Sequence, residues 1–295
     1  MMSDKSEAVG MNCIATQCDI LLKNSPAFLV IGAQKGGTTA LYEYLSKHPS
    51  LKPSSIKEID FFSCNEIYNK GYNYYHSHFV QEVGEDKLFF EASPSYLNNE
   101  SAPERIYEYN PQIKLVAVLR NPVERAYSAW NMYVKNYRSN PDWFYNWMVR
   151  CDSDYANRQV VRRSVEAMTN FLVYLNEEVV AIKSGMFIES PVLSHGFYCK
   201  QLNEYLKFFD RNQIYIVESN ALKNDTIVVL RSIEKFIGIN YNNWDSYDLG
   251  AVFEGGYNTS ICADAVRFLE KYYEQANKDL SHEFGIDFIP LVDIW

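Results

Sequence analysis

The sequence predicts one α/β domain in which helices flank a central, mainly parallel β-sheet. Short, continuously apolar runs alternate along the chain with segments of helical periodicity, which is typical of parallel strands covered on both faces. The 295 residues are 47% hydrophobic and 22% charged, an ordinary globular composition and enough chain for one large domain. We therefore expect residues 1–25 to form a loose leader and residues 26–295 to form a single domain.

The strands are predicted from the buried apolar runs, and the helices from apolar spacing. The predicted strands are Ala27–Gly32, Leu88–Glu91, Lys114–Leu119 and Ile214–Glu218. The predicted helices are Thr38–Lys47, Ser101–Tyr109, one that begins after Asn121, Tyr198–Phe209, Asp225–Ile237 and Ala265–Leu280. Residues 50–57 are predicted to form a loop, and residues 138–190 a helical insertion or lid.

Several helix ends carry capping signals. Ser101 has the spacing of a capping box, and Asn121 and Asp264 stand where N-cap residues are expected. Gly238 follows its helix directly and is expected to end it in the left-handed conformation.

The charge and the cysteines restrict the class of partner. A net charge of −9 argues against a partner that is itself a polyanion, such as nucleic acid or a heavily sulfated glycan. The six cysteines form no C-x-x-C pair and have no metal-ligand spacing with histidine. We therefore expect free thiols in a reducing compartment.

The N-terminal residues indicate a cytoplasmic location. Residues 1–25 lack the basic start and continuous apolar core of a secretory signal. Nothing in the chain approaches the roughly eighteen uninterrupted apolar residues of a membrane span. The sequence thus predicts a cytoplasmic protein that does not span a membrane.

A glycine-rich turn between the first strand and its helix is the strongest candidate for an anion site. Gly36 and Gly37 precede Thr38 and Thr39, where the helix begins. Such a turn directs unpaired N–H groups at one point, and the helix dipole favours an anion there. The phosphate loop of nucleoside triphosphatases has its lysine directly after the last glycine, whereas Lys35 lies before both glycines. The alternative is an ordinary strand–helix junction.

The end of the third predicted strand supplies a second candidate anion site. Arg120 follows Leu119 at the strand's carboxyl end, where ligands of open parallel sheets bind, and it can make paired hydrogen bonds to a phosphate. Ser128 lies about two helical turns further on, within reach of the same group. The alternative is a surface arginine paired with Glu124 and a serine that packs as a small residue. Two such sites on one edge would imply a ligand phosphorylated at both ends.

Four motifs follow one another along the chain: Gly-Ala-Gln-Lys-Gly-Gly-Thr-Thr at 32–39, Lys-Glu-Ile-Asp-Phe-Phe at 57–62, Glu-Ala-Ser-Pro-Ser-Tyr at 91–96 and Leu-Arg-Asn-Pro-Val-Glu-Arg-Ala-Tyr-Ser at 119–128. Together they resemble the sulfotransferases that use 3′-phosphoadenosine 5′-phosphosulfate (PAPS). The resemblance covers about residues 26–280 and is nearest to the heparan sulfate sulfotransferase-like branch with its bacterial small-molecule relatives. It implies a sheet fold related to the nucleotide kinases.

The resemblance also implies which residues hold PAPS and its desulfated product, PAP. The loop Lys35–Thr39 would hold the 5′-phosphosulfate, and Arg120 and Ser128 the 3′-phosphate. Tyr198 would lie near the adenine, and Asn258 and Ser260 would add contacts. No metal is expected, because a lysine can stabilise the charge of this transfer; Lys35 is the candidate catalytic cation.

A carboxylate is needed to take the proton of the acceptor. In the resembling enzymes a glutamate at the position of Glu58 does so; the alternative is a surface carboxylate paired with Lys57. Asp60 is the second candidate base, since in an extended segment both side chains would point to the same side. Glu91 is expected either to support the site or to be a buried structural carboxylate.

Departures from the heparan-modifying enzymes bear on the acceptor. Ala92 stands where those enzymes carry a lysine, and residues 253–260 contain no basic residue. We therefore expect a neutral or cationic small acceptor, for example a natural product such as a saxitoxin-type guanidinium alkaloid. The alternatives are a glycan or lipid sulfotransferase, a nucleotide kinase-like phosphotransferase, and a nucleotide-binding module without catalysis.

Overall fold

The computed structural model describes residues 25–83, 85–152, 154–250 and 260–291. Five parallel strands form the central sheet in the order β2-β3-β1-β4-β7, and β5 and β6 form a separate parallel pair. The strands are β1 (Pro26–Gly32), β2 (Leu51–Pro53), β3 (Leu88–Ala92), β4 (Lys114–Leu119), β5 (Val160–Val161), β6 (Phe187–Ile188) and β7 (Ile214–Glu218). The α-helices are α1 (Thr38–Leu45), α2 (Asn65–Tyr68), α3 (Gly71–His76), α4 (Ala102–Tyr109), α5 (Pro122–Ser139), α6 (Trp143–Cys151), α7 (Phe171–Lys183), α8 (Tyr198–Tyr205), α9 (Ser219–Asn224), α10 (Thr226–Ile237) and α11 (Ala263–Phe284).

Both faces of the central sheet are buried, which explains the unbroken apolar runs. Along β1, Leu29 and Ile31 belong to one core cluster with side chains of α4 and α8. Phe28 and Val30, on the opposite face, pack in a second cluster with side chains of α1 and α10. Successive side chains of a strand point to opposite faces, so each strand contributes to both cores. The predicted α/β architecture with a central parallel sheet is therefore confirmed.

The segment 138–190 is fastened to a third core cluster, which α5, α7 and α11 share. The side chain of Arg163 is fully buried and donates to Glu178 on α7 at 3.0 Å. Glu178 also accepts the backbone N–H groups of Val192 and Leu193, each at 2.8 Å. These contacts satisfy the buried charges. The segment contains the helices α6 and α7, and its nature as an insertion or lid stays a prediction.

Several predicted boundaries need correction. The predicted loop over 50–57 contains a strand, Leu51–Pro53, at the edge of the sheet. Ser101 precedes α4, but its side chain makes no capping hydrogen bond. Asp264 lies inside the first turn of α11 and Cys262 occupies the N-cap, so the helix begins earlier than predicted. The predicted ends Lys47 and Phe209 are too late, because α1 and α8 stop at Leu45 and Tyr205.

Two helix-end predictions are correct. The side chain of Asn121 accepts the backbone N–H of Val123 and caps α5. Gly238 ends α10 with a φ of 85°, in the left-handed region that glycine adopts without strain.

The helices among the described residues include none that is long and apolar enough to cross a bilayer. The four cysteines of the described ranges, Cys64, Cys151, Cys199 and Cys262, are free thiols.

Candidate active site

The carboxyl ends of neighbouring strands bring the predicted site residues to one edge of the sheet. β1 lies between β3 and β4, and all three are parallel, so the segments that follow them meet there. The backbone N–H of Ala33 donates to the carbonyl of Val118 at 2.8 Å, which fastens the loop after β1 to β4. The two segments predicted to bind anions are therefore direct neighbours.

The glycines of this loop are required by close backbone approach and by conformation. A Cβ on Gly36 would lie 2.3 Å from the carbonyl oxygen of Val118, so no side chain fits there. Gly37 has a φ of 113° and precedes α1 as its N-cap. α1 has no side-chain cap and no acidic residue in its first turn. Its N-terminal N–H groups and positive dipole end thus suit an anion, as the sequence predicted.

Lys35 is the electrostatic centre of this edge. Its pKa is lowered by burial and then by the positive charge of Arg120, whereas Glu58 opposes the shift and Lys57 adds a small lowering. These couplings place the side chains of Lys35, Arg120 and Glu58 in one electrostatic environment. A lysine held among cations is well suited to binding an anion, because an incoming negative charge relieves the repulsion.

Arg120 is held by α5 and α8. Its Nε donates to Glu124 at 3.2 Å, which is the pairing considered as the alternative to phosphate binding. Both side chains are about 30% exposed, and such pairs are weak enough for a phosphate to compete. The hydroxyl of Tyr198 donates to the Arg120 carbonyl at 2.9 Å and fixes its backbone. Ser128 is buried on α5, 2% exposed.

Glu58 and Asp60 do not form the extended segment on which their equivalence depended. Both residues have positive φ, 61° and 55°, and Lys35 has a φ of 64°. Non-glycine residues rarely adopt this region and cluster at functional sites when they do. The Glu58 N–H donates to the Ala92 carbonyl at 3.1 Å, which fixes the segment to the end of β3. The Glu58 side chain is 48% exposed and pairs with Lys57.

Asp60 is held in a different environment from Glu58. Its backbone N–H donates to the Ser93 hydroxyl at 3.0 Å, and its carboxylate accepts the Ser95 hydroxyl at 2.5 Å. The pKa of Asp60 is raised to about 6, mainly by burial; the hydrogen bond from Ser95 lowers this pKa, and the charge of Glu58 raises it. Of the two candidate bases, Glu58 is the accessible one, and Asp60 is anchored by the serines.

Glu91 is a fully buried carboxylate that supports this arrangement. It accepts hydrogen bonds from Ser93 at 2.5 Å, Tyr75 at 2.6 Å and Tyr96 at 2.7 Å. Burial nevertheless raises the pKa of Glu91 to about 7. The Ser93 hydroxyl also accepts the Asp60 N–H. Through this hydroxyl, Glu91 is connected to the segment that carries Glu58 and Asp60. Ser93 and Ser95 stand in the motif at 91–96, where the sequence alone assigns them no role.

Glu91 gives a prediction for the pH dependence of stability. Its folded pKa lies above the usual value of 4.5, so between about pH 4.5 and 7 the folded chain keeps a proton that the unfolded chain releases. The unfolding free energy should therefore fall as the pH rises through this range. We expect Glu91→Gln to reduce the fall between pH 5 and 7.5 by about 1–3 kcal/mol in urea unfolding. Glu66→Gln, at an exposed carboxylate, should retain the wild-type fall; an equal fall in all three proteins would contradict the assignment.

The remaining predicted contacts lie nearer the edge of the described chain. Tyr198 is buried, 1% exposed, and its approach to an adenine stays a prediction. Ser260 is exposed at the start of the last described range, and Asn258 lies outside the described residues. No cluster of three or more potential metal ligands occurs within the described ranges.

Comparison with known proteins identifies what this arrangement is similar to. The family model described as "Sulfotransferase domain" matches residues 25–251. A bifunctional heparan sulfate N-deacetylase/N-sulfotransferase of Drosophila melanogaster is 30% identical over 253 residues, 79% of this chain and 21% of that protein. The membrane-associated sulfotransferase kil1 of Dictyostelium discoideum is 25% identical over 336 residues, 96% of this chain and 70% of that protein.

A solved structure shares the fold. The crystal structure of a sulfotransferase from Alicyclobacillus acidocaldarius has a TM-score of 0.65 and 23% identity, covering 90% of this chain and 97% of that chain. The chain spans about a third or less of the first heparan sulfate relatives it matches, 31% of one and 21% of another.

Proposed function

From the premise that this chain belongs to the sulfotransferase domain family, we propose that it transfers a sulfuryl group from PAPS to a hydroxyl or amine of a neutral or cationic small molecule. The family model matches residues 25–251, most of the chain, so the predicted family is confirmed. The chemistry of this family is PAPS-dependent sulfuryl transfer. The choice of acceptor is the part that we infer for this chain.

The observation that carries the proposal is the electrostatic coupling of Lys35 to Arg120 and Glu58. It supports a site with a cation for the transferred group, a second cation for the distal phosphate and a carboxylate for the acceptor. Gly36 has no room for a side chain, and the start of α1 has no side-chain cap. Both features fit a phosphate that is bound by backbone N–H groups. The residues present therefore fit PAPS.

Each residue has a proposed task. PAPS supplies the activated sulfuryl group when bound. Thr38, Thr39 and the glycine N–H groups bind the 5′ end of the nucleotide, while Arg120 and Ser128 bind the 3′-phosphate. Lys35 neutralises the negative charge that develops on the leaving phosphate. The analogous reaction, phosphoryl transfer, is likewise catalysed mainly by stabilisation of developing charge.

The proton of the acceptor goes to Glu58 in this proposal. Its exposed carboxylate is coupled electrostatically to Lys35, and the hydrogen bond from its backbone N–H to the Ala92 carbonyl fixes it to the end of β3. Asp60 has a structural role in the loop in this proposal. Because it is buried, it is the less suitable of the two carboxylates to accept the proton. General-base catalysis of this kind contributes about 10²–10⁴-fold.

Charge supports a small neutral or cationic acceptor. The net charge is −9, and four arginines of the segment 138–190 are engaged with carboxylates or carbonyls: Arg150, Arg158, Arg162 and Arg163. A polyanionic glycan would meet repulsion there. The heparan sulfate relatives nevertheless favour a glycan as the second candidate acceptor, and a sugar of low charge would satisfy both arguments. We propose a cytoplasmic enzyme of natural-product sulfation.

Binding of PAP gives a direct prediction for the nucleotide site. At one hundred times its dissociation constant, PAP should stabilise the folded chain by about 2.7 kcal/mol. This corresponds to a rise in Tm of roughly 5–10 °C for a domain of this size. Thermal melting with and without magnesium measures it, and we expect the same rise in both.

The same experiment separates the alternatives. A rise seen only with ATP and magnesium would favour the kinase-like reaction and contradict the proposal. A rise with PAP but no release of PAP from PAPS, with any member of a panel of phenols, amines, guanidines and neutral sugars, would favour the binding module. The acceptor that increases PAP release identifies the substrate class.

A further inference from the structure

Two buried thiols meet where helices α2 and α6 pack against each other. Cys64 is the N-cap residue of α2, and Cys151 is the last residue of α6. Cys64 and Cys151 are 1% and 7% exposed, and the two thiols lie close enough for each to change the pKa of the other. The pair lies outside the residues that the proposed reaction uses.

An ion pair beside the thiols bridges the two helices. Arg150 donates through Nε to one Glu66 carboxylate oxygen at 2.8 Å and through Nη2 to the other at 3.3 Å. Glu66 is two residues from Cys64, and Arg150 is adjacent to Cys151. The contact joins residues close to the two thiols, in agreement with the direct packing of α2 against α6.

The pKa values of the two thiols differ, so that one of them is the more readily ionised and can react first. Contact with the Cys151 thiol, supported by backbone N–H groups of α2, lowers the pKa of Cys64 to about 7. The same contact and burial raise the pKa of Cys151. Cys64 is therefore the nucleophile and Cys151 the resolving thiol. By contrast, burial raises the pKa of the Cys199 thiol to about 11.

We propose that Cys64 and Cys151 form an oxidisable pair whose disulfide locks α6 onto the loop that carries Glu58 and Asp60. The backbone N–H of Cys64 donates to the Asp60 carbonyl at 2.9 Å, so the bond would end within that loop. On the other side it would hold the first helix of the segment 138–190. This modification site does not depend on the proposed reaction.

The oxidant is a hydroperoxide, small enough to reach a buried thiolate through a slight opening of α6. The Cys64 thiolate attacks the peroxide O–O bond, takes one oxygen to become a sulfenic acid, and releases hydroxide, which takes up a proton. The Cys151 sulfur then attacks the sulfenic sulfur, forming the S–S bond and releasing water. In total two thiols and one hydrogen peroxide give one disulfide and two waters.

Peptide mapping of the full chain after hydrogen peroxide treatment tests this site. In a digest made without reducing agent, we expect one linked pair of peptides, one with Cys64 and the other with Cys151. The pair should weigh about 2 Da less than the sum of the two separate peptides, and dithiothreitol should separate them. Because the bond closes a long loop, Tm should rise by about 5–10 °C and return on reduction.

Variants keep the test decisive. Cys64→Ser and Cys151→Ala should lose both the linked peptides and the Tm rise, whereas Cys199→Ser, at another buried thiol, should keep both. The Tm of each reduced variant shows that it folds. Separate sulfinic acids on Cys64 and Cys151, a link to Cys262 instead, or linkage without a reversible Tm rise would each overturn the proposal.

Discussion

Lys35→Ala is expected to lower the conversion of PAPS to PAP by about 10²–10³-fold, the scale of losing one preorganised electrostatic contact in a transition state. Lys35 stands beside Arg120 and Glu58, and its burial means that water cannot replace the lost charge fully. Nucleotide binding should weaken less than turnover, because the glycine loop, the start of α1 and Arg120 remain. Release of PAP from PAPS, with the best acceptor and with water alone, measures the rate.

Lys47→Ala is the matched control for Lys35→Ala. Lys47 follows the other end of α1, is exposed, and donates to the Asp248 carbonyl. The substitution removes the same charge beyond the opposite end of α1, at a distance from the loop, so turnover should stay near the wild-type rate. Near-normal turnover in Lys35→Ala, with an intact Tm, would remove Lys35 from the chemistry. A PAP-dependent rise in Tm that vanishes together with turnover would reduce Lys35 to a binding residue.

The sheet could be predicted closely because its strands are buried on both faces. Lys114–Leu119 and Ile214–Glu218 were predicted at their observed bounds, since an apolar run surrounded by polar residues is readable without tertiary context. The strand Leu51–Pro53 was missed because three residues that end in proline give no periodic signal. Proline is tolerated there since β2 is an edge strand.

The site could be predicted as a set of residue types but not as a geometry. The glycine turn and Arg120 were recognised because their chemistry depends on backbone ends that the sequence marks. The left-handed conformations of Lys35, Glu58 and Asp60 have no clear sequence signal, because lysine and glutamate rarely adopt positive φ and aspartate, although enriched there, adopts it in only a minority of cases. At Glu58 and Asp60, contacts with Ala92 and Ser93, more than thirty residues away in the chain, accompany that conformation.

For Tyr198, too, the sequence predicts a residue near the ligand but not the geometry of that residue. An aromatic residue expected near the adenine is a candidate for stacking, which needs an accessible ring face. The ring is instead buried, and its hydroxyl holds the Arg120 carbonyl. The structure thus gives Tyr198 a place beside the predicted 3′-phosphate residues that sequence spacing alone does not define.

Glu58→Gln is expected to lower sulfuryl transfer to the best acceptor by about 10²–10⁴-fold while leaving PAP binding within a few-fold of wild type. The amide keeps the size of the side chain but cannot take a proton from the acceptor. Asp60→Asn is the matched comparison, because Asp60 lies two residues away and is anchored by Ser93 and Ser95. A much smaller loss in Asp60→Asn would assign the base to Glu58, and the reverse order would assign it to Asp60.

The pH profile separates a base from a mere charge partner of Lys35. Glu58 raises the pKa of Lys35 against the larger lowering by burial and Arg120, so Glu58→Gln should lower that pKa further. If this were its only effect, Lys35 would lose its proton at a lower pH, and activity would return towards wild type as the pH falls. A carboxylate base acts wherever it is ionised, so we expect the loss in Glu58→Gln to persist as the pH falls to about 6, above the ordinary range of carboxylate pKa values. Recovery of activity at lower pH, or a loss below about tenfold throughout, would contradict the assignment of Glu58 as the base.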